Sequence, residues 1–505
     1  MEITFLLPES AELSPIGTNV TLAEVALVTD VPGESPQRFS VPISDGSNGL
    51  NLGRLPVADG VRLSVELRAP SQRLIGYGRS PSPVDVVADG VIQIEIRLRR
   101  PFAYVTGGAE IATYDAALEP GFPYRGAISV APVPLAAVST FAGDELVTVS
   151  ANELRLVSTS SHTPMEFSPV PLAQAPNSVA LSPDDQFAII GHGGATGGIS
   201  IVRLADVRGE TAAANFIPMG NVTGVDASMG VPDEDPPLAF ALIDGIAPDV
   251  ECATAGTSSI VGVSVANPSE IVLTVAPGLG VSDFAVHPVS DAMALAAPCA
   301  SSWNVKAVRH HADPTDIIDL QELGRATRIA IVNDRVWSVG VQPSSGTTGA
   351  RLIVGAVGFD RTGVTVLELP EAEERALSRD FTGPGQFAEL AMNADALFPL
   401  DLAVLPGEGH VAVLTRGFYH GNEVVGTILG IPTLIVPEMT ITAFEYQLID
   451  AGSGTPVQRV RTMCDLDWSH DAYLDDFACT TVPGQDIVPN PEFAPRHLSV
   501  LNGAR

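Results

Sequence analysis

One stretch of this sequence carries acidic residues at calcium-ligand spacing. In Asp465–Asp476, DLDWSHDAYLDD, the residues Asp465, Asp467, Ser469, Asp471 and Asp476 fall at positions 1, 3, 5, 7 and 12 of a calcium loop. Hard oxygen donors crowded into one loop are what Ca²⁺ requires. Two positions depart from that pattern. His470 stands where the sharp turn wants glycine, and Asp476 replaces the longer bidentate glutamate. The expected metal ligands are therefore Asp465, Asp467, Asp471 and Asp476, against a bland alternative of a solvated acidic loop. That loop is bracketed by Cys464 and Cys479; the other cysteines are Cys252 and Cys299. No CxxC or Cys/His zinc spacing occurs. Four cysteines suit two disulfides or four buried thiols; two disulfides are the favoured reading, which implies an oxidising compartment. The pairing is open, with Cys464 and Cys479 closing a short loop and Cys252 and Cys299 in adjacent repeats where they could be neighbours. Nucleophile elbows, HExxH and phosphate loops are absent from the sequence. His192, in Gly-His-Gly-Gly, ends a strand-like run. With Glu110 and Asp244 it could reach a central channel, although nothing in their spacing requires it.

The elements that would position these groups are strands. Ser178–Leu204 reads as strand, Ser-Pro-Asp-Asp turn, strand, glycine loop, strand. Asp283–Ala296 and Asp401–Leu414 align with it across the first turn. Each has an apolar-Ala-apolar triplet, one further residue, and Pro: Val179-Ala180-Leu181 with Pro183, Phe284-Ala285-Val286 with Pro288, Leu402-Ala403-Val404 with Pro406. Arg328–Val341 is a weaker copy. Self-similarity at this period, all strand, means a propeller or a β-solenoid. The chain ends favour the propeller. Leu498-Ser499-Val500 looks like a first strand, and its missing partners resemble Phe102–Gly108 and Glu110–Tyr114. A blade split between the ends closes a ring and removes exposed edges.

The x-apolar-Ala-apolar-Ser-Pro-Asp-Asp-x-aromatic-Ala pattern resembles YVTN-type and lactonase-like seven-bladed β-propellers. The resemblance implies an all-β fold. It does not fix function, since propellers host enzymes, binders and scaffolds.

Residues 1–100 form a different unit. Short strand-like runs alternate, for example Val61, Leu63, Val65, Leu67 and Ile92, Ile94, Ile96, Leu98. An immunoglobulin- or fibronectin-like β-sandwich is expected there, without the Cys-Trp-Cys hallmark. The propeller is then 101–505, with insertions at 370–396 and 415–494. Pro370–Ala396 contains helix formers and predicts a helix on a propeller face. Long insertions on one face are where binding specificity sits, so Phe418, Tyr419 and Trp468 are the candidate binding aromatics.

Composition narrows the function. There are 59 acidic against 27 basic residues, a formal charge of −32. Such a chain repels nucleic acid and anionic membranes. No run of eighteen apolar residues occurs, so no transmembrane segment is expected. Lys306 is the only lysine, which fits a GC-rich bacterial genome. Met1-Glu2-Ile3 enters a strand at once, so an export signal, including one for a lipid anchor, would already have been removed. The expectation is a non-catalytic binding or scaffolding protein of a bacterial envelope or extracellular surface, periplasmic or outer, with a protein or glycan partner. Two alternatives stand beside it: a lactonase-like hydrolase in the channel, and a calcium-stabilised adhesin. No cofactor is expected apart from that calcium.

Overall fold

A computed structural model describes residues 2–8, 13–15, 21–28, 37–44, 48–53, 56–70, 74–80, 82–87, 93–107, 110–115, 117, 124–132, 134–229, 237–247, 252, 255–268, 271–288, 290–300, 304–310, 313–321, 325–332, 335–342, 351–358, 377–380, 392–404, 410–421, 424–428, 431–436, 439–450, 456–468, 480–481 and 497–500. These are almost entirely β.

The N-terminal strands are β1 (Glu2–Leu6), β2 (Leu22–Val28), β3 (Gln37–Pro42), β4 (Gly49–Asn51), β5 (Ala58–Arg68), β6 (Leu74–Arg79), β7 (Val84–Val86) and β8 (Gln93–Arg97). One sheet has the order β4-β1-β8, with β1 parallel to β8. The other runs β3-β2-β5-β6, with β7 on β5. Alternation decides which side is buried. Val61, Leu63, Val65 and Leu67 of β5 point inward and meet Ile3, Phe5 and Ile96 of the other sheet in one core.

The rest of the chain is a propeller-like succession of antiparallel sheets, each a meander. The first combines β9 (Phe102–Gly107), β10 (Glu110–Asp115) and β11 (Tyr124–Ser129). Next come β12 (Pro134–Ser139), β13 (Glu145–Ser150) and β14 (Glu153–Ser158), with the short β15 (Thr163–Pro164) and β16 (Val170–Pro171). A sheet of β17 (Pro176–Leu181), β18 (Phe187–His192), β19 (Gly198–Arg203) and β20 (Asn215–Pro218) follows; helix α1 (Leu204–Arg208) precedes β20. Then β21 (Val222–Ser228), β22 (Leu238–Ile243), β23 (Ser259–Ser264) and β24 (Ile271–Val275) form a sheet. So do β25 (Asp283–Val286), β26 (Ala292–Ala296), β27 (Val305–Arg309) and β28 (Asp313–Gln321). β29 (Arg325–Val332), β30 (Arg335–Gln342), β31 (Arg351–Gly358) and β32 (Leu377–Asp380) repeat the pattern. The next sheet is longer: β33 (Met392–Val404), β34 (His410–Gly421), β37 (Met439–Asp450), β38 (Pro456–Trp468) and β39 (Thr480–Thr481). Between β34 and β37 sits a hairpin of β35 (Val424–Ile428) and β36 (Ile431–Val436). Finally β40 (His497–Val500) pairs antiparallel with β9, His497 opposite Thr106 and Val500 opposite Ala103.

Lead strands of successive sheets pack side by side: β40 on β12, then β17, β21, β25, β29 and β33, which packs back on β40. Apolar side chains fill the seams between sheets. Val147, Leu154, Leu181 and Ile190 share one cluster. Ala285, Ala292, Ala294, Ala296 and Ala326 form a tighter one, where small residues let sheets approach closely.

The stretches on which a helix is expected within Pro370–Ala396, 371–376 and 387–391, lie outside the described residues; of the described parts, Leu377–Asp380 pairs with β31 and Met392–Ala396 opens β33. The described helix is α1, which the sequence reading missed. It buries Leu204 and Val207, carries Asp206 in its first turn and Arg208 in its last, and ends at Gly209.

Candidate functional site

Lead strands β12, β17, β21, β25, β29 and β33 surround a cavity of about 430 Å³. Its charged lining comes from equivalent places in the repeat. The residue immediately before the apolar-Ala-apolar triplet is Asp283 in β25, Arg328 in β29 and Asp401 in β33. Successive sheets thus place Asp, Arg and Asp side by side on the wall. Asp226 of β21 adds a further carboxylate.

Asp226, Asp283 and Arg328 bridge neighbouring sheets. Asp226 Oδ2 accepts from Val286 N of the next lead strand at 2.8 Å. Asp283 Oδ2 accepts from Ile329 N at 3.0 Å. Arg328 Nε donates to Leu400 O at 2.6 Å, and its Nη1 to Thr327 O at 3.0 Å. Asn177 Nδ2 donates to Val222 O at 2.7 Å, and Ser282 Oγ to Thr327 O at 3.0 Å. Asp185, in the Ser-Pro-Asp-Asp turn, accepts from Phe141 N and Ala142 N of the preceding sheet, both at 2.8 Å. It adopts a φ of 57°, which Asp tolerates better than most residues. Burial pushes the Asp283 carboxyl up to about 6; Asp401 adds to the shift, while Arg328 and the amide bonds oppose it. Burial likewise raises Asp185 to about 6 against its two amide bonds.

Strand direction divides the structure into two ends. In an antiparallel meander, turns after first and after second strands lie at opposite ends. The first turns carry Asp144 and Asp185. Here the N-terminal sheets dock: Arg97 Nη1 meets Asp144 Oδ2 at 3.3 Å, and Tyr77 of β6 joins Phe102 and Tyr104 in one cluster. The second turns make the other end. They include Gly245, Ile246 and Ala247 at the cavity edge, the glycine loop after β18, and the β34–β37 extension.

That extension holds the aromatics singled out in the sequence. Phe418 and Tyr419 lie on β34, opposite Thr442 and Ile441 of β37. On the far side of β37, Leu466 pairs with Ile441, Asp467 with Thr440 and Trp468 with Met439. Phe418, Tyr419 and Trp468 are therefore gathered at one end of one sheet, β37 lying between them. Asp465 and Asp467 are on β38, Asp465 at a register shift. Asp471 and Asp476 lie outside the described residues, so the calcium ligands are placed only in part. Among the described residues, no group of three or more His, Cys, Asp or Glu side chains gathers in metal-binding proximity.

Cys252 and Cys299 form a disulfide, with Cα atoms 5.1 Å apart. Cys464 is on β38, and Cys479 lies outside the described residues. His192 does not line the cavity. It is buried, with Nε2 2.8 Å from Ser200 Oγ and its ring edge-on to Phe216; burial lowers its pKa. Glu110 lies at the start of β10, where Ser129 Oγ donates to it at 3.3 Å, and Asp244 accepts from Asn221 Nδ2 at 3.3 Å. Neither lines the cavity. The sequence reading missed the wall residues Asp226, Asp283, Arg328 and Asp401, although three of them are the first letters of the repeat copies.

No family model matches the chain, and no curated protein does. Among solved structures, it is similar to a functionally unknown protein from Desulfotomaculum acetoxidans, at 13 % identity and TM-score 0.42, covering 66 % of this chain and 94 % of that one. It is also similar to RRP9 WD40 repeats, at 12 % and 0.37, covering 61 % and 86 %. A third is hydrazine synthase of Kuenenia stuttgartiensis, at 11 % and 0.31, covering 62 % and 71 %. Likeness this slight carries no argument about function, and the architecture is read from the chain's own sheets.

Proposed function

We propose that this chain is a seven-bladed β-propeller, closed by a blade shared between its ends, behind a small immunoglobulin- or fibronectin-like sandwich. It acts as a non-catalytic binding or scaffolding protein at a bacterial envelope or extracellular surface. The observation that carries this reading is the use made of the channel's polar groups. Asp226, Asp283, Arg328 and Asn177 bond the backbone of neighbouring sheets. Residues engaged in this way hold a ring together, which leaves recognition to the surface. The surface that stands out is the β34–β38 extension, whose strands of 12 to 13 residues outrun the six-residue strands of the β17 sheet. Its partner is a protein or glycan of the cell surface. The disulfide Cys252–Cys299 supports an exported location, periplasmic or outer.

The test is co-sedimentation with bacterial envelope vesicles and with purified cell-wall glycan. The native chain should bind one of them. A variant with Val424–Val436 replaced by a short Gly-Ser linker should lose at least about tenfold in affinity, or about 1.4 kcal/mol, at an unchanged unfolding midpoint. Equal binding by both chains, or binding by neither, would count against the reading.

A further inference from the structure

The channel cavity is built in two levels. Along each lead strand, every second residue goes to a seam: Val179 and Leu181, Phe284 and Val286, and Ile329 and Ile331 lie in the inter-sheet clusters. The alternate residues therefore face the channel. The upper level carries Ser178, Asp283, Arg328 and Asp401, all half-buried. A register shift falls just ahead of Ser178, Arg328 and Asp401, and bulges of this kind re-aim the side chain that follows. Two residues on, about 7 Å deeper, the same strands place Ala180, Ala285, Ala330 and Ala403 on the wall. Strand β21 departs at this level and puts Asp226 where the others have alanine. Deeper still, Phe141, Leu181, Pro183, Val286, Pro288 and Ile331 close around a space of about 10 Å³. The cavity is blind toward the first turns and opens toward the second.

The charges of this wall do not cancel one another in ion pairs. Among the described residues, the lining has three carboxylates, Asp226, Asp283 and Asp401, and one guanidinium, Arg328. Arg328 bonds carbonyls rather than carboxylates: Nε to Leu400 O at 2.6 Å, and Nη1 to Thr327 O at 3.0 Å and to Ser282 O at 3.4 Å. None of these bonds uses Nη2. Asp226 and Asp283 accept from backbone amides, which leave the negative charge in place. Charges enclosed by protein are screened far less than charges on an open surface. The complement of such a wall is a carboxylate for Arg328 and cations at two depths. We propose that the cavity binds a basic α-amino acid, its carboxylate on Arg328, its α-ammonium against the flanking Asp283 and Asp401, and its side-chain cation reaching past the alanines to Asp226. A side chain of four methylenes spans roughly 6 Å, close to the separation of the two levels. The volume of about 430 Å³ falls in the range of small-molecule sites. The partner of the β34–β38 surface is a macromolecule, too large for this cavity, so the two sites are separate.

The test is equilibrium dialysis of the full chain against L-lysine, L-norleucine and 1,5-diaminopentane. L-lysine should bind one to one. It should bind at least about tenfold tighter than norleucine, which lacks the side-chain cation, and than the diamine, which lacks the carboxylate. Asp226→Asn should erase the advantage of lysine over norleucine. Ala330→Leu narrows the alanine level without removing a charge, and should abolish lysine binding in a chain that keeps its native circular dichroism. If that variant does not fold, the Asp226→Asn comparison decides alone. No retention of lysine by the native chain, equal affinity for lysine and either analogue, or lysine binding that survives both substitutions would overturn the proposal.

Discussion

Replacing Asp226 by Ala should weaken the seam between the β21 and β25 sheets by an amount that can be worked out. The carboxylate accepts from Ala227 N at 2.9 Å and from Val286 N at 2.8 Å. The first bond is local to its own strand; the second crosses between sheets. Ala227 and Val286 are each 4 % exposed, so neither amide is well hydrated once the carboxylate is gone. A hydrogen bond to a charged group contributes about 1.5–3 kcal/mol, and an orphaned buried donor costs about 1–3 kcal/mol. These overlap for the inter-sheet bond, and the local bond adds less. The expected loss is about 2–4 kcal/mol. Water entering from the adjoining cavity would push the value toward the lower figure. Ser228 Oγ and Met229 N still donate to Pro288 O across the same seam, so the sheets should stay docked. The assay is urea unfolding combined with native-state exchange at the Val286 amide. Asp226→Asn keeps one acceptor oxygen and should lose about half as much. A loss below about 0.5 kcal/mol, within the range of ordinary surface substitutions, with Val286 still protected, would refute the idea that these acids hold the ring.

Asp185 gives a pH signature. Its carboxyl is raised from 3.8 to about 6 in the fold, chiefly by burial. The folded state therefore holds its proton more tightly, and this group's contribution is fully present below about 3.8 and lost as pH rises through about 6. Asp185→Asn removes that titration. Between pH 4 and pH 7.5 the variant should gain up to about 3 kcal/mol relative to the native chain; a pH-independent difference in unfolding free energy would contradict this. In the glycine loop, a Cβ on Gly197 would lie 2.1 Å from His192 O and 2.5 Å from Gly220 O. Gly197→Ala should cost about 1–3 kcal/mol, the range for overpacking, read as a lowered thermal midpoint; an unchanged midpoint would show that the loop can rearrange.

The strands were readable because burial enforces a period. Val61, Leu63, Val65 and Leu67 alternate in the sequence and are all buried in the structure. The repeat copies were readable because each lead strand must turn at the same place. The seam chemistry was not. Asp283, Arg328 and Asp401 occupy one repeat position, yet Asp283 and Arg328 bond backbone groups tens of residues away. Only the packing of β25, β29 and β33 brings those groups within reach. His192 misled for a related reason: a strand end beside glycines looks accessible in sequence, whereas the outer strands bring Ser200 and Phe216 over it.

The most direct test of the account sets channel against surface in one binding assay. The double variant Asp283→Asn, Asp401→Asn and the hairpin replacement at Val424–Val436 are compared with the native chain on envelope vesicles, with hydrolysis of a lactone panel measured in parallel. The account predicts altered thermal stability and intact binding for the channel variant, and intact stability with lost binding for the hairpin variant. Lactone hydrolysis by the native chain that the channel substitutions abolish would contradict it, and would move the function into the channel.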